Sequence, residues 1–226
     1  MRGVLAQRPK FRKAETLVPR LLSAILLIPF SLWIIFIGSP YSLVLGSIIA
    51  MGLFCEWTIL CLKNLLPFWS KLIIIILGTA YLSVAILWLL HLLFQPEGWK
   101  LFYWLLFLVW STDTAAYVGG RLLRGPKLAP SISPHKTWAG FLTGMLGGTA
   151  IAYTTSFWLL PDLFNLWGIL FLVLIAQGGD LLESKIKRWS EVKDSGFLIP
   201  GHGGLLDRLD SLLAISFTIA LWQWFV

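Results

Sequence analysis

Residues 180–211 carry Asp180, Glu183, Asp194, Asp207 and Asp210 together with Lys187, Arg188, Lys193 and Arg208, in a chain that is otherwise mostly hydrocarbon. Ionisable groups in or beside apolar spans are expensive, so they mark function by default. Clustered carboxylates without Cys or His companions suit a hard cation. Mg²⁺ takes oxygen ligands, often one or two carboxylates plus substrate phosphates. The neighbouring cations suit a polyphosphate. Gly201-His202-Gly203-Gly204 offers a turn where backbone can approach a phosphate closely. Together these parts suit metal-assisted nucleotidyl transfer, in which charge neutralisation and alignment dominate.

Spacing groups these residues further. Asp180, Glu183, Ser184, Lys187 and Arg188 fall at i, i+3, i+4, i+7 and i+8, one stripe of a helix. Asp207, Asp210 and Ser211 form a second stripe, and Asp113 with Tyr117 a third. Asp113 follows Lys100 by 13 residues and Asp180 follows Trp167 by 13. At a helical rise of about 1.5 Å per residue, both lie roughly 20 Å from the outer membrane face. Asp207 and Asp210 fall near the cytoplasmic interface. The expected site is a polar cavity, walled by hydrocarbon and open to the cytoplasm.

The elements that must hold these groups are apolar helices. The chain has 226 residues, is 58% hydrophobic, and has a mean hydropathy of +0.81. Only 13% of its residues are charged, against about a quarter in soluble domains. Apolar runs at about 21–37, 41–62, 72–94, 101–118, 138–160, 167–182 and 209–226 predict an all-α, polytopic membrane helix bundle of about seven transmembrane helices. Residues 1–20 read as a basic cytoplasmic arm and 21–226 as a single membrane-embedded catalytic domain. No small-residue cleavage site follows the first run, so it reads as an uncleaved span. Seventeen of the eighteen Lys and Arg residues fall on one side of this arrangement, and only Lys100 on the other. The positive-inside rule then places the N-terminus in the cytoplasm and the C-terminus outside, in the inner (cytoplasmic) membrane. Trp99, Trp167, Trp222 and Trp224 would form an outer aromatic belt. Cys55 and Cys61 read as core residues rather than a disulfide or metal site.

Several of these residues also have plain structural readings. Asp180 could be an interhelical partner of a lysine. Lys185, Lys187 and Arg188 alone would be ordinary positive-inside residues. Ser133-Pro134 reads as a helix N-cap followed by proline at the first helical position. Lys136 and Thr137 then stand at a helix start suited to an anion. Gly140, Gly144, Gly147 and Gly148 read as a close helix-packing face. Glu56 either lines the cavity or pairs with a neighbour. His202 is either structural or functional.

The run Ser184-x-x-Lys187-Arg188, Lys193-Asp194, Pro200-x-His202-Gly203-Gly204-x-x-Asp207-Arg208-x-Asp210 closely resembles the hallmark of the phosphatidate cytidylyltransferases, or CDP-diacylglycerol synthases. A second run is similar to the family too: Asp113 to Tyr117, then Ser133-Pro134-His135-Lys136-Thr137-Trp138-Ala139-Gly140. There His135 and Ala139 stand where the family pattern implies Lys and Glu. The resemblance spans roughly residues 110–212. It implies transfer of CMP from CTP to phosphatidate, giving CDP-diacylglycerol and pyrophosphate. It also implies a catalytic set of Asp113, Asp180, Asp207 and Asp210, with Mg²⁺ held by Asp180, Asp207 and Asp210. Substrate binding would fall to Ser133, Lys136, Thr137, Ser184, Lys187, Arg188, Lys193, Asp194, His202, Gly203, Gly204 and Arg208. The expected partners are CTP, phosphatidate and the lipid bilayer, with no nucleic acid; a homodimer stays open. Two other functions also remain: a transporter of lipid phosphate or nucleotide, and a CTP-dependent lipid kinase, which would need a base to activate a hydroxyl.

Overall fold

Apolar runs separated by Gly38-Ser39-Pro40, Leu66-Pro67 and Gln95-Pro96-Glu97-Gly98 become helices. In hydrocarbon every backbone N–H and C=O must be satisfied within its own segment, and a helix does this. The computed structural model describes residues 17–63, 66–160, 165–192, 194–196, 198 and 203–225. Among them, the helices are α1 (Leu17–Ile37), α2 (Tyr41–Lys63), α3 (Phe68–Phe94), α4 (Gly98–Leu122), α5 (Trp138–Leu159), α6 (Leu166–Trp189) and α7 (Leu206–Phe225). The fold is thus mostly helical. The basic arm lies largely outside the described residues, as do Lys193 and His202.

The expectation of an all-α chain needs one correction. Strands β1 (Lys127–Ala129) and β2 (Ser133–Thr137) pair antiparallel between α4 and α5. Ser133 and Pro134 are therefore strand residues, not the cap and first turn of a helix. Proline is tolerated because a two-stranded hairpin is all edge. The cap falls instead on Thr137, whose backbone is extended and whose hydroxyl accepts the Gly140 N–H at 3.1 Å.

Helices α2, α3, α4 and α6 are long and apolar enough to cross a membrane, and Ile25–Ile37 is a shorter apolar stretch. The chain is a multi-pass membrane protein. Besides that first run, two more of the expected spans fall short of this standard. Gly140, Gly144, Gly147 and Gly148 dilute α5, and α7 opens with Asp207, Arg208 and Asp210. Many large apolar side chains face outward, among them Trp158, Leu146, Trp167 and Trp224, as expected where the solvent is lipid rather than water.

Two buried clusters hold the bundle. One joins Trp104, Leu105 and Leu108 of α4 to Ile169, Val173 and Ala176 of α6 and to Leu212 and Ile215 of α7. The other joins Leu53, Trp57 and Leu60 of α2 to Leu82 and Ala85 of α3 and to Leu206 and Leu213 of α7. Helix α7 contributes to both and so lies centrally. Helices α4 and α5 approach closely because glycine leaves room. A Cβ on Gly144 would stand 3.0 Å from the Ala116 Cβ and 3.2 Å from the Thr112 carbonyl oxygen. The Trp104 indole N–H donates to the Ala152 carbonyl at 2.8 Å, and the Thr143 hydroxyl to that of Ala115 at 3.0 Å. The packing role read for the α5 glycines is what the structure shows. Both cysteines are free, Cys61 buried and Cys55 exposed.

Candidate active site

Helix α6 runs past the end of its apolar segment to Trp189, so the whole Asp180 stripe lies on one continuous helix. Its Asp180 turn faces a cavity of about 510 Å³. Helix α4 supplies Asp113, Tyr117 and Arg121 to the wall; the hairpin supplies His135, Lys136 and Thr137; α6 adds Gln177. Asp113 and Asp180, expected at similar depth on separate spans, therefore share one cavity. Lys136 Nζ lies 2.5 Å from Asp180 Oδ2. Ser184 donates to the other Asp180 oxygen at 3.5 Å. The Arg121 guanidinium donates to the Tyr117 hydroxyl at 2.8 Å, an i, i+4 pair.

One turn further along α6 the groups are more deeply enclosed. Lys187 is buried and donates to Glu183 Oε2 at 3.0 Å and to Asp207 Oδ1 at 2.6 Å. The other Asp207 oxygen accepts the backbone N–H of Ser195 at 2.9 Å and of Gly204 at 3.0 Å. Gly203 has φ +85°, a left-handed conformation that favours glycine, and a Cβ there would stand 3.3 Å from Asp207 Oδ2. Asp210 Oδ1 accepts the Ser211 N–H at 2.7 Å. Asp210 lines a separate, mostly apolar cavity of about 400 Å³ with Glu183, Trp57 and Tyr81, not the Asp113–Asp180 cavity. Asp113 and Asp180 thus share one cavity with Lys136, while Lys187 bridges Glu183 and Asp207.

Other expected site residues do not line the Asp113–Asp180 cavity. Arg188 is exposed and donates to the carbonyls of Ile132 and Val192, tying α6 to the hairpin turn. Asp194 is exposed and lines a smaller cavity of about 140 Å³ with Glu56 and Lys63. Arg208 is exposed on the first turn of α7, and Ser133 opens β2 opposite Ala129. Arg121, His135 and Gln177 were not among the expected site residues, and Glu183 was read on the Asp180 stripe without an assigned role. Helical spacing could have raised two of the three missed residues: Arg121 follows Tyr117 at i+4, and Gln177 precedes Asp180 at i−3.

The donor chemistry fits a hard cation in part. Among the described residues, no three His, Cys, Asp or Glu side chains converge into a metal-holding group. Mg²⁺ does not need three, because one or two carboxylates with substrate phosphates suffice. Asp180, at the wall of the Asp113 cavity, fits that requirement, whereas Asp210 lines a separate, mostly apolar cavity with Glu183, Trp57 and Tyr81. Asp207 fits it less well, because three donors already engage its two oxygens.

Carboxylates and ammonium groups around a cavity inside a bundle of apolar helices are the equipment of a membrane-embedded enzyme of phosphate chemistry. Sequence comparison makes this specific. The profile described as "Cytidylyltransferase family" matches residues 59–225. The phosphatidate cytidylyltransferase of Rickettsia felis is 35% identical over 86% of this chain and 86% of its own. That of Rickettsia bellii is 36% identical over 90% and 89%, and that of Brucella melitensis biotype 1 is 34% identical over 89% and 91%. The chain belongs to the phosphatidate cytidylyltransferase family and is a nucleotidyltransferase. The match begins well before residue 110, so the likeness reaches beyond the two motifs that first carried it.

Proposed function

We propose that the chain transfers CMP from CTP to phosphatidate at the cavity between α4, α5, α6 and the hairpin. The observation that carries this reading is the meeting of Asp113, Lys136 and Asp180, from three separate elements, at one cavity beside the buried Lys187–Asp207 pair. A phosphate monoester has a second pKa near 6, so the lipid phosphate is already largely dianionic at neutral pH. It can attack the α-phosphorus of CTP without a strong general base, and pyrophosphate leaves. The chain's task is then alignment and charge neutralisation. Lys136 and Arg121 supply positive charge at the cavity wall, where phosphate oxygens would replace Asp180 as the partner of Lys136. Lys187 fixes Asp207 and the α7 start beneath them. Asp180 would hold Mg²⁺ together with the substrate phosphates, and the ion would supply Lewis-acid neutralisation of the polyphosphate when bound.

The proposed setting is a seven-span bundle with the cavity open to the cytoplasm. The one-sided placement of Lys and Arg supports it. The test is isotopic. Purified protein in lipid nanodiscs receives phosphatidate and Mg²⁺ with CTP labelled at either the α- or the γ-phosphorus. Cytidylyl transfer carries the α-label into lipid and releases the γ-label as pyrophosphate. A CTP-dependent kinase labels no phosphatidate but carries the γ-label into an added lipid alcohol, and a carrier labels neither lipid.

A further inference from the structure

We propose that Glu56 is a positioning residue of the active site, acting through the N-terminus of α7 on Asp207. This rests on the reading of the Asp180–Asp207 region as the catalytic site. Glu56 stands in the apolar helix α2 and is only 2% exposed. A lone carboxylate so buried needs donors, and it has three. Leu205 N–H donates to Oε1 at 2.9 Å, while Leu206 N–H at 2.8 Å and the Ser195 hydroxyl at 3.2 Å donate to Oε2.

These partners define its task. The first amides of a helix lack intrahelical acceptors, and negative charge there is favoured by the helix dipole. Helices commonly satisfy these amides from their own N-cap side chain. Here the cap arrives from α2, some 150 residues away in sequence. Asp207 holds the same segment from the other side, through the N–H groups of Ser195 and Gly204. Ser195 is thus gripped by its backbone at Asp207 and by its hydroxyl at Glu56. The two carboxylates fix one loop end and one helix start between them. Glycine at 204 is required by this crowding, since a Cβ there would stand 2.7 Å from both Glu56 Oε2 and the Gly196 nitrogen. Glu56 does not line the Asp113–Asp180 cavity. Its influence on the reaction passes through where α7 begins, hence where Asp207 and its Lys187 partner stand.

Glu56→Gln is the sharp variant. It keeps the shape, but both carboxylate oxygens accept backbone N–H groups, so an amide must turn its NH₂ against one of them. In purified protein we expect kcat at saturating CTP and phosphatidate to fall about tenfold or more, while KM for CTP stays within about threefold. Amide exchange at Leu205 and Leu206 should accelerate. In an Asp207→Glu background, where the carboxylate is kept but displaced, Glu56→Gln should cost less than about threefold further. Wild-type kcat in folded Glu56→Gln, or losses that multiply fully in the double variant, would overturn the proposal. If Glu56→Gln does not fold, Ser195→Ala decides. It removes one Glu56 donor, keeps the N–H to Asp207, and should lower kcat several-fold (on the order of threefold to tenfold); an unchanged kcat overturns the idea. Wild-type protein making no CDP-diacylglycerol would instead sink the underlying functional reading, and amide exchange would still report whether Glu56 caps α7.

Discussion

Lys187 Nζ lies 2.6 Å from Asp207 Oδ1, so a single buried ammonium joins α6 to the start of α7. The same nitrogen holds Glu183 at 3.0 Å. Two acids therefore depend on one cation, and all three are largely out of solvent. Lys187→Met removes the cation and leaves both acids buried without it. Breaking a buried pair in this way costs about 3–5 kcal/mol. Thermal unfolding in detergent should show a fall of that order, with loss of activity. Lys187→Arg keeps the charge but adds a planar fork that must fit the same space, so its destabilisation should be smaller. Equal melting of Lys187→Met and wild type would mean that the three groups are not a structural unit.

The α4–α5 contact predicts a contrast between two glycines. The Gly148 Cα faces the Thr112 side chain, with no room for a Cβ. Gly148→Leu should destabilise by about 1–3 kcal/mol through overpacking. It should also lower activity, because α4 carries Asp113. Gly178 on α6 has nothing within 4 Å of where its Cβ would be. Gly178→Ala should raise stability by about 0.5–1 kcal/mol through helix propensity. Melting temperatures of the two variants, measured side by side, check the sign of each effect.

Orientation is a separate prediction. Seventeen of eighteen Lys and Arg residues on one side place Lys10 in the cytoplasm and the C-terminus outside. Reporter fusions that work only in one compartment read this directly. A C-terminal reporter active in the cytoplasm would mean an even number of spans. Helices α1, α5 and α7 would then be the first to re-examine, since α2, α3, α4 and α6 are the ones long and apolar enough by themselves.

Most of the helical frame was legible because hydrocarbon length and punctuation fix it. The apolar runs end at proline and glycine clusters, and the helices end there too. The far turn of α6 was not legible by hydropathy, because Glu183 to Arg188 are polar and yet helical. Their i, i+4 spacing showed it instead. The hairpin was missed because strands of three and five residues carry too little periodicity, and Ser133-Pro134 mimics a helix start. Asp180 was read either as a site acid or as the partner of a lysine. The structure gives it a lysine, but from a hairpin strand at a cavity wall rather than from a neighbouring helix. Glu56 could not be placed from sequence, because its partners lie 139 to 150 residues away. Nothing local marks a carboxylate as the cap of a distant helix.

The last prediction separates catalysis from structure at Asp180. Its pair with Lys136 has both side chains about a quarter to a third exposed. Such a pair contributes about 0–1 kcal/mol, so Asp180→Asn should fold and melt close to wild type. Asparagine keeps the shape and one oxygen but loses the anionic ligand that a hard cation prefers. If Asp180 helps hold Mg²⁺ against the polyphosphate, kcat should fall by about two orders of magnitude or more. The Mg²⁺ concentration for half-maximal activity should rise in whatever activity remains. Excess EDTA should abolish wild-type turnover, and added Mg²⁺ should restore it. Lys185→Gln is the control. Lys185 lies off the Asp180 stripe, with its ammonium 5.1 Å from the Trp189 ring centroid, and losing that exposed contact costs about 0.5–1 kcal/mol. It should leave turnover near wild type. Near-normal kcat in Asp180→Asn, or equal damage from Lys185→Gln, would show that Asp180 is a structural partner of Lys136 and that the reaction is organised elsewhere.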